Sequence, residues 1–272
     1  MKNLFFALLA IIFLENACKS GLVTTSNGCY NLIQTADGQN KSGDYKDALA
    51  NFNEIIKKCD AYDAKEKAYA GKAASLNGLQ QYSDALSSAN DAIKINKSSF
   101  EGYFEKANAE MGLGMNAEAK ADLQTLISLT DKNRNTSDRA TLYAKIAALE
   151  SRQQQYGDAQ TNINRALELD ASNIDLYILQ GDIYTASGNY NKAMDSYNQA
   201  ITKGSGNGKA YKGKVESMIK MYQAEYATNN ASVLASKMST SEKQNLCEAI
   251  SSGLSKGMKD MNIELVQVAI CK

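Results

Sequence analysis

The sequence predicts an all-α fold, made of one helix–turn–helix unit repeated along the chain and closed by a C-terminal helical hairpin. Two residue series carry the repeat. Tyr69, Tyr103, Tyr143, Tyr177 and Tyr211 fall at intervals of 34, 40, 34 and 34, and Ala48, Ala85, Ala119, Ala159 and Ala193 at 37, 34, 40 and 34. The long interval is common to both, so a single insertion explains it, and it lies in the polar stretch from Thr130 to Ser137. A 34-residue period is that of a helix–turn–helix repeat. The third observation is C-terminal: Leu246, Ile250, Leu254 and Met258 recur every four residues, the spacing of one helix face.

Composition narrows the function. The chain of 272 residues has no proline, so it contains no cis-prolyl turn and no polyproline ligand motif. It has no histidine, which excludes a Ser-His-Asp triad, a Cys-His dyad and an imidazole metal site. Thirty basic and 30 acidic side chains cancel, so no global positive field draws nucleic acid. No metal site, cofactor or small-molecule substrate is expected.

Residues 1–17 read as a signal peptide. Met1-Lys2-Asn3 is a basic start, and Leu4 to Leu14 is an unbroken apolar run. At 1.5 Å per residue that run reaches about 16 Å, half the hydrocarbon thickness of a bilayer. It is the h-region of a secretory signal rather than a membrane span. Ala17-Cys18 resembles the lipobox of bacterial lipoproteins, although Glu15 stands where that family prefers leucine. The resemblance implies that Cys18 is acylated, that 18–28 is a tether and that the protein is exported to the cell envelope, anchored at an outer membrane and facing the periplasm. Ordinary cleavage near Ser20 and a retained N-terminal helix are the alternatives. Cysteine parity agrees with export: Cys29, Cys59, Cys247 and Cys271 remain, and an even number invites two disulfides. Parity alone leaves three pairings open, and four separate buried thiols as well.

The repeat itself follows. The segments Gly188-Asn-Tyr190-Asn-Lys-Ala193-Met-Asp-Ser-Tyr197-Asn-Gln-Ala200-Ile201, Gly43-Asp-Tyr45-Lys-Asp-Ala48-Leu-Ala-Asn-Phe52 and Tyr156-Gly-Asp-Ala159-Gln-Thr-Asn-Ile163-Asn-Arg-Ala166-Leu167 resemble the second helix of the tetratricopeptide repeat. The resemblance implies a right-handed superhelical solenoid, with five repeats over 29–206: 29–60, 66–98, 100–131, 140–172 and 174–206. In that frame the five alanines let the second helix cross the first closely, opposite Ala73, Ala107, Ala147 and Gly181. Phe52, Leu123, Ile163 and Tyr197 fill the space between repeats. Asn116 replaces the tyrosine that opens the second helix of repeat 3. The family's tryptophan is tyrosine here. Its proline is replaced by Asp60, Lys97, Asp131, Ala171 and Ser205, so Gly, Asn and Ser must end the helices.

Beyond the repeats, 207–227 reads as a capping helix without a second helix, 228–239 as a linker and 240–272 as a helical hairpin. Ser239 with Glu242 offers a capping box at the start of that hairpin. Because the helices of a tetratricopeptide unit run antiparallel, the resemblance implies a Cys29–Cys59 bridge, and the hairpin a Cys247–Cys271 bridge.

No catalytic constellation stands out. Gly204-Ser-Gly-Asn-Gly208 precedes Lys209, but without the strand that a phosphate-cradling loop requires. Surface remains. The resemblance places the partner-binding groove on the first helix of each repeat, and the positions that carry over include Phe104, Asn108, Met111, Ala144, Ala148, Ser151, Asp175, Ile178, Asp182 and Lys212. Phe104, Met111 and Ile178 flank a floor of Ala144, Ala148 and Ser151, while Asp175 and Asp182 favour a basic residue in the partner. The alternative is that Phe104 and Ile178 complete the core. The family's Lys/Asn/Arg carboxylate clamp is absent, since Ile33 and Asp37 hold its first two positions. The expected function is therefore a non-enzymatic adaptor binding a protein segment in this groove. The alternative is a structural subunit of an envelope complex, held by its other face or by the C-terminal hairpin.

Overall fold

Fourteen helices and no strand make up the described residues, 26–130, 136–204 and 208–271 of a computed structural model. The expected signal peptide, Cys18, Asp131 and Ser205 lie outside these residues. The chain divides into two units, up to Leu129 and from Thr130.

The first unit holds α1 (Asn27–Ser42), α2 (Tyr45–Lys58), α3 (Tyr62–Gly78), α4 (Tyr82–Ile95), α5 (Phe100–Gly112) and α6 (Asn116–Thr130). The second holds α7 (Thr136–Arg152), α8 (Tyr156–Leu169), α9 (Ile174–Ala186), α10 (Tyr190–Lys203), α11 (Gly208–Glu225), α12 (Ala231–Lys237), α13 (Thr240–Ser255) and α14 (Met261–Ile270). Helices pair in sequence as α1 with α2, α3 with α4, α7 with α8 and α9 with α10, and Lys106 of α5 reaches Asp122 of α6. The odd helices also pack side by side within each unit: α1 on α3, α3 on α5, α7 on α9, α9 on α11.

The pairing rests on the predicted small residues. Ala48, Ala85, Ala119, Ala159 and Ala193 are all fully buried. Aromatic side chains then enter gaps left by glycine. A Cβ on Gly71 of α3 would stand 2.2 Å from the Phe52 ring of α2, and Cβ atoms on Gly181 and Gly213 would stand 2.6 and 2.4 Å from the Tyr197 ring. Tyr197 of α10 therefore locks α9 and α11 together.

Side-chain caps start several helices, although α2, α3, α4, α8 and α10 begin without one. Ser26 accepts from the Cys29 amide, Ser99 from Gly102 and Asn173 from Asp175. Since Ser26 opens α1 at Asn27, the expected tether cannot run to Gly28 as non-helical chain. Each turn from the first helix to the second needs one left-handed residue, and Gly43, Gln80, Gly114, Gln154 and Gly188 supply it.

The C-terminal part departs from expectation twice. The segment read as a linker contains α12, capped by Asn230 and packed on α14. The capping helix α11 does have a partner. Gly208 at its start lies against the Lys256 carbonyl (3.3 Å from an added Cβ), and Tyr226 beyond its end donates to both Glu242 oxygens at 3.0 and 2.9 Å. Thus α13 runs antiparallel to α11 and acts as its second helix. Ser239 and Glu242 form the full capping box of α13, and Asp260 caps α14 through the Asn262 and Ile263 amides. The β-branched run from Ile263 to Ile270 is helical. Disulfides join Cys29 to Cys59 (Cα–Cα 6.1 Å) and Cys247 to Cys271 (5.6 Å).

Candidate partner-binding surface

The expected groove residues divide between the units: Phe104, Asn108 and Met111 stand on α5 of the first, and Ala144, Ala148, Ser151, Asp175, Ile178, Asp182 and Lys212 on α7, α9 and α11 of the second.

In the first unit these positions carry a polar ladder between neighbouring first helices. Asn40 of α1 donates to the Gly71 carbonyl at 3.0 Å and accepts from Ser75 at 2.8 Å. Asn77 of α3 donates to the Glu105 carbonyl and carboxylate at 2.9 and 2.8 Å. Asn108 donates to the same carboxylate at 3.1 Å, so it supports Glu105. Phe104, half-buried, stacks on Phe100 one turn earlier with ring centroids 6.0 Å apart. Met111 is half-buried.

In the second unit Ala148 and Ser151 are half-buried on α7, and Ala144 packs against the core of α7–α9. Ile178 leans on the cluster of Tyr177, Ala200 and Ala210, which is the core-completing role weighed for it above. Asp182 is solvent-accessible, yet the helices behind it strip enough water to push its carboxyl above the ordinary carboxylate range. The Tyr197 hydroxyl, donating to Oδ1 at 2.7 Å, and Lys220 pull it partly back.

The charge around Asp175 differs from expectation. Asp175 lines a cavity of about 480 Å³ together with Lys209 and Lys212 of α11 and Lys256 and Lys259 of the α13–α14 turn. Lys212 is held by Asp260 at 2.7 Å and Glu216 at 3.7 Å. Lysines therefore outnumber acids in this cavity, and the preference for a basic partner residue does not hold beside Asp175. No local spacing marks Lys256 and Lys259, because they reach this cavity only through the packing of α13 on α11. Among the described residues no cluster of three or more acids and thiols is placed to hold a metal, and no helix is long and apolar enough to cross a membrane.

Stacked antiparallel pairs, small crossing residues and a left-handed residue at each inner turn are the geometry of one known repeat. Residues 174–202 match the tetratricopeptide repeat. The heat shock protein STI1 of Saccharomyces cerevisiae is 31% identical over 91 residues, which span 34% of this chain and 15% of the yeast protein. A tetratricopeptide repeat protein from Parabacteroides merdae is 16% identical, with a TM-score of 0.56 over 91% of this chain and 100% of its own. YrrB, described as a tetratricopeptide protein with an unusual peptide-binding site, is 16% identical, with a TM-score of 0.50 over 79% of this chain and 95% of its own. These structural likenesses establish a tetratricopeptide fold. Tetratricopeptide repeats generally mediate protein–protein interaction and are typically non-enzymatic scaffolds.

Proposed function

We propose that this protein is a binding scaffold that holds a segment of a partner protein along the first helices of its repeats. The observation that carries this reading is the face of α7 between its packing positions. Ala144, Ala148 and Ser151 are small and half-buried, and α9 and α11 continue the surface beside them. Small side chains let an incoming segment approach the helix closely, and the acids of α9 and lysines of α11 offer polar contacts at the margin. The peptide-binding site of YrrB supports the reading by analogy of fold. Export and a lipid anchor at Cys18 belong to the same proposal, supported by the apolar run before Ala17-Cys18 and by four cysteines that form two disulfides. An acylated terminus would place the scaffold at the periplasmic side of an outer membrane without a spanning helix.

A second reading has its own observation. Met261, Leu265 and Val268 project from one face of α14 with 77%, 62% and 67% of their surface exposed. A ridge at i, i+4 and i+7 is the pattern a structural subunit uses to seat itself on a larger complex.

One experiment separates the readings: capture of partners from envelope membranes by tagged protein. Ala148→Arg fills the floor beside Ala147 and Tyr143 without replacing either. It is expected to abolish capture while changing stability by no more than about 0.5 kcal/mol. Capture that survives Ala148→Arg but is lost in Leu265→Asp supports the structural-subunit reading. Cys18→Ser is expected to remove lipid label and release the protein from membranes, and an unlabelled wild type overturns the anchor.

A further inference from the structure

A second concave surface lies on the other side of α11. At 100° per residue, Lys214, Met218 and Met221 point away from Lys212 and Glu216. They form the floor of a cleft of about 810 Å³, walled by α10 and α13. Both walls run antiparallel to α11 and hence parallel to each other. The α10 wall offers Asn191, Met194, Asp195, Asn198 and Ile201, and the α13 wall Asn245, Glu248, Ala249 and Ser252. Each set follows helical spacing. At 1.5 Å per residue the walls are about 15 and 10 Å long, two to three turns of a helix.

Two properties of the cleft define what fits it. Met194, Met218, Met221 and Ile201 make its depth apolar, and unbranched thioethers reshape around apolar side chains of differing form. The mouth carries opposed acids, Asp195 on one wall and Glu248 on the other, both exposed. Glu248 accepts a hydrogen bond from Gln244 at 3.0 Å, and neither acid has an ion pair among the described residues. Two carboxylates against the single Lys214 leave the mouth acidic.

We propose that the α10–α11–α13 cleft seats an amphipathic helix of a partner protein, its apolar face against the three methionines and its Lys or Arg residues between Asp195 and Glu248. The trough supplies length for two turns, apolar depth for residues at i, i+3 or i+4 and i+7, and charge complementarity at both edges. This surface is separate from the α7–α9–α11 face, so the scaffold would hold two partners at once.

The probe is a capped synthetic peptide of repeating pattern Leu-Lys-Lys-Leu-Leu-Lys-Leu, followed by fluorescence anisotropy on the full chain. The peptide is expected to bind, and its counterpart with Glu for every Lys to bind at least tenfold more weakly. Asp195→Lys with Glu248→Lys, both at exposed positions, is expected to reverse that order. Ala249→Arg, which fills the cleft, is expected to lose at least tenfold for either peptide, while Ala148→Arg binds as wild type. Circular dichroism establishes that each variant folds, and the charge-reversal pair tests the proposal even if Ala249→Arg does not. Equal binding of the two peptides, an unchanged order after charge reversal, or loss in Ala148→Arg instead would each overturn it. Failure here with capture still lost in Ala148→Arg leaves the proposed function standing.

Discussion

Residues 39 and 51 of the first repeat meet across the helix pair, where Asn51 donates to the Gln39 side-chain carbonyl at 2.7 Å. The same place in the fourth repeat holds Glu150 and Asn162, again at 2.7 Å. In the third repeat it holds Glu110 and Asp122, two carboxylates with no side-chain amide to pair them. Lys106 bridges them, 3.4 Å from Glu110 and 2.7 Å from Asp122. Burial, and then the Asp122 carboxylate, push the Glu110 carboxyl up to about 7. Because that folded value lies above the ordinary 4.5, the folded state holds the proton more tightly. The contribution to stability is then greatest below about pH 4.5 and is lost as pH rises towards about 7. Asp122→Asn supplies the missing donor, as Asn162 does for Glu150. It is expected to stabilise the first unit by about 1 kcal/mol at pH 8, with a smaller gain at pH 5. Urea unfolding at the two pH values checks this; an equal gain at both would reject the carboxylate pair as the cause. Composition could not single out this pair, because only the superposed repeats show that two carboxylates meet here where repeats 1 and 4 have an amide donor.

Helices were legible wherever small residues and period coincide. The predicted alanines are buried because a tetratricopeptide pair packs only where one helix presents no bulk, and that requirement is local in sequence. Asn116 in place of tyrosine did not prevent α6, since Ala119, Leu123 and Leu126 still fill the core. The seven residues of α12 were not legible: they are too few to show a period, and Asn230 and α14 hold them in place. The inner turns carry a testable cost. Gln80 and Gln154 both have φ of 61° where the other repeats use glycine. A side chain in the left-handed region is strained by about 1 kcal/mol, part of which glycine returns as entropy of the unfolded chain. Gln80→Gly and Gln154→Gly are each expected to stabilise by about 0.5 kcal/mol, read as a rise in urea midpoint at constant slope. A lower midpoint would mean that the glutamine side chains, rather than the backbone, hold the turns.

At the scale of the molecule, each unit carries one disulfide near its end of the chain: Cys29–Cys59 ties the first turn of α1 to the residue after α2, and Cys247–Cys271 ties α13 to the residue after α14. Terminal repeats have a neighbour on one side only, so they depend most on such a staple. Closing loops of 30 and 24 residues stabilises by about 3.5 kcal/mol each in the chain-entropy model. Replacing Cys29 and Cys59 by serine is expected to expose α1 and α2 to hydrogen exchange while α13 and α14 stay protected; the reciprocal pair should do the reverse. Exchange that rises equally in both regions would show that the bridges stabilise the chain globally.

The sequence by itself determined the repeated helix pair and its crossing residues; the cysteine pairings were implied by the tetratricopeptide resemblance and the expected hairpin, and the structure has both. Each of these depends on contacts between neighbours within about 34 residues, and a periodic chain writes such contacts into its period. Only the tertiary structure decided that α13 is the partner of α11, because the intervening α12 breaks the period. From that pairing follow the lysines around Asp175 and the methionine cleft beside α10. Both join residues of α13 or its following turn to residues of α11 and an earlier helix, which no local spacing links, and which meet because α13 packs along α11.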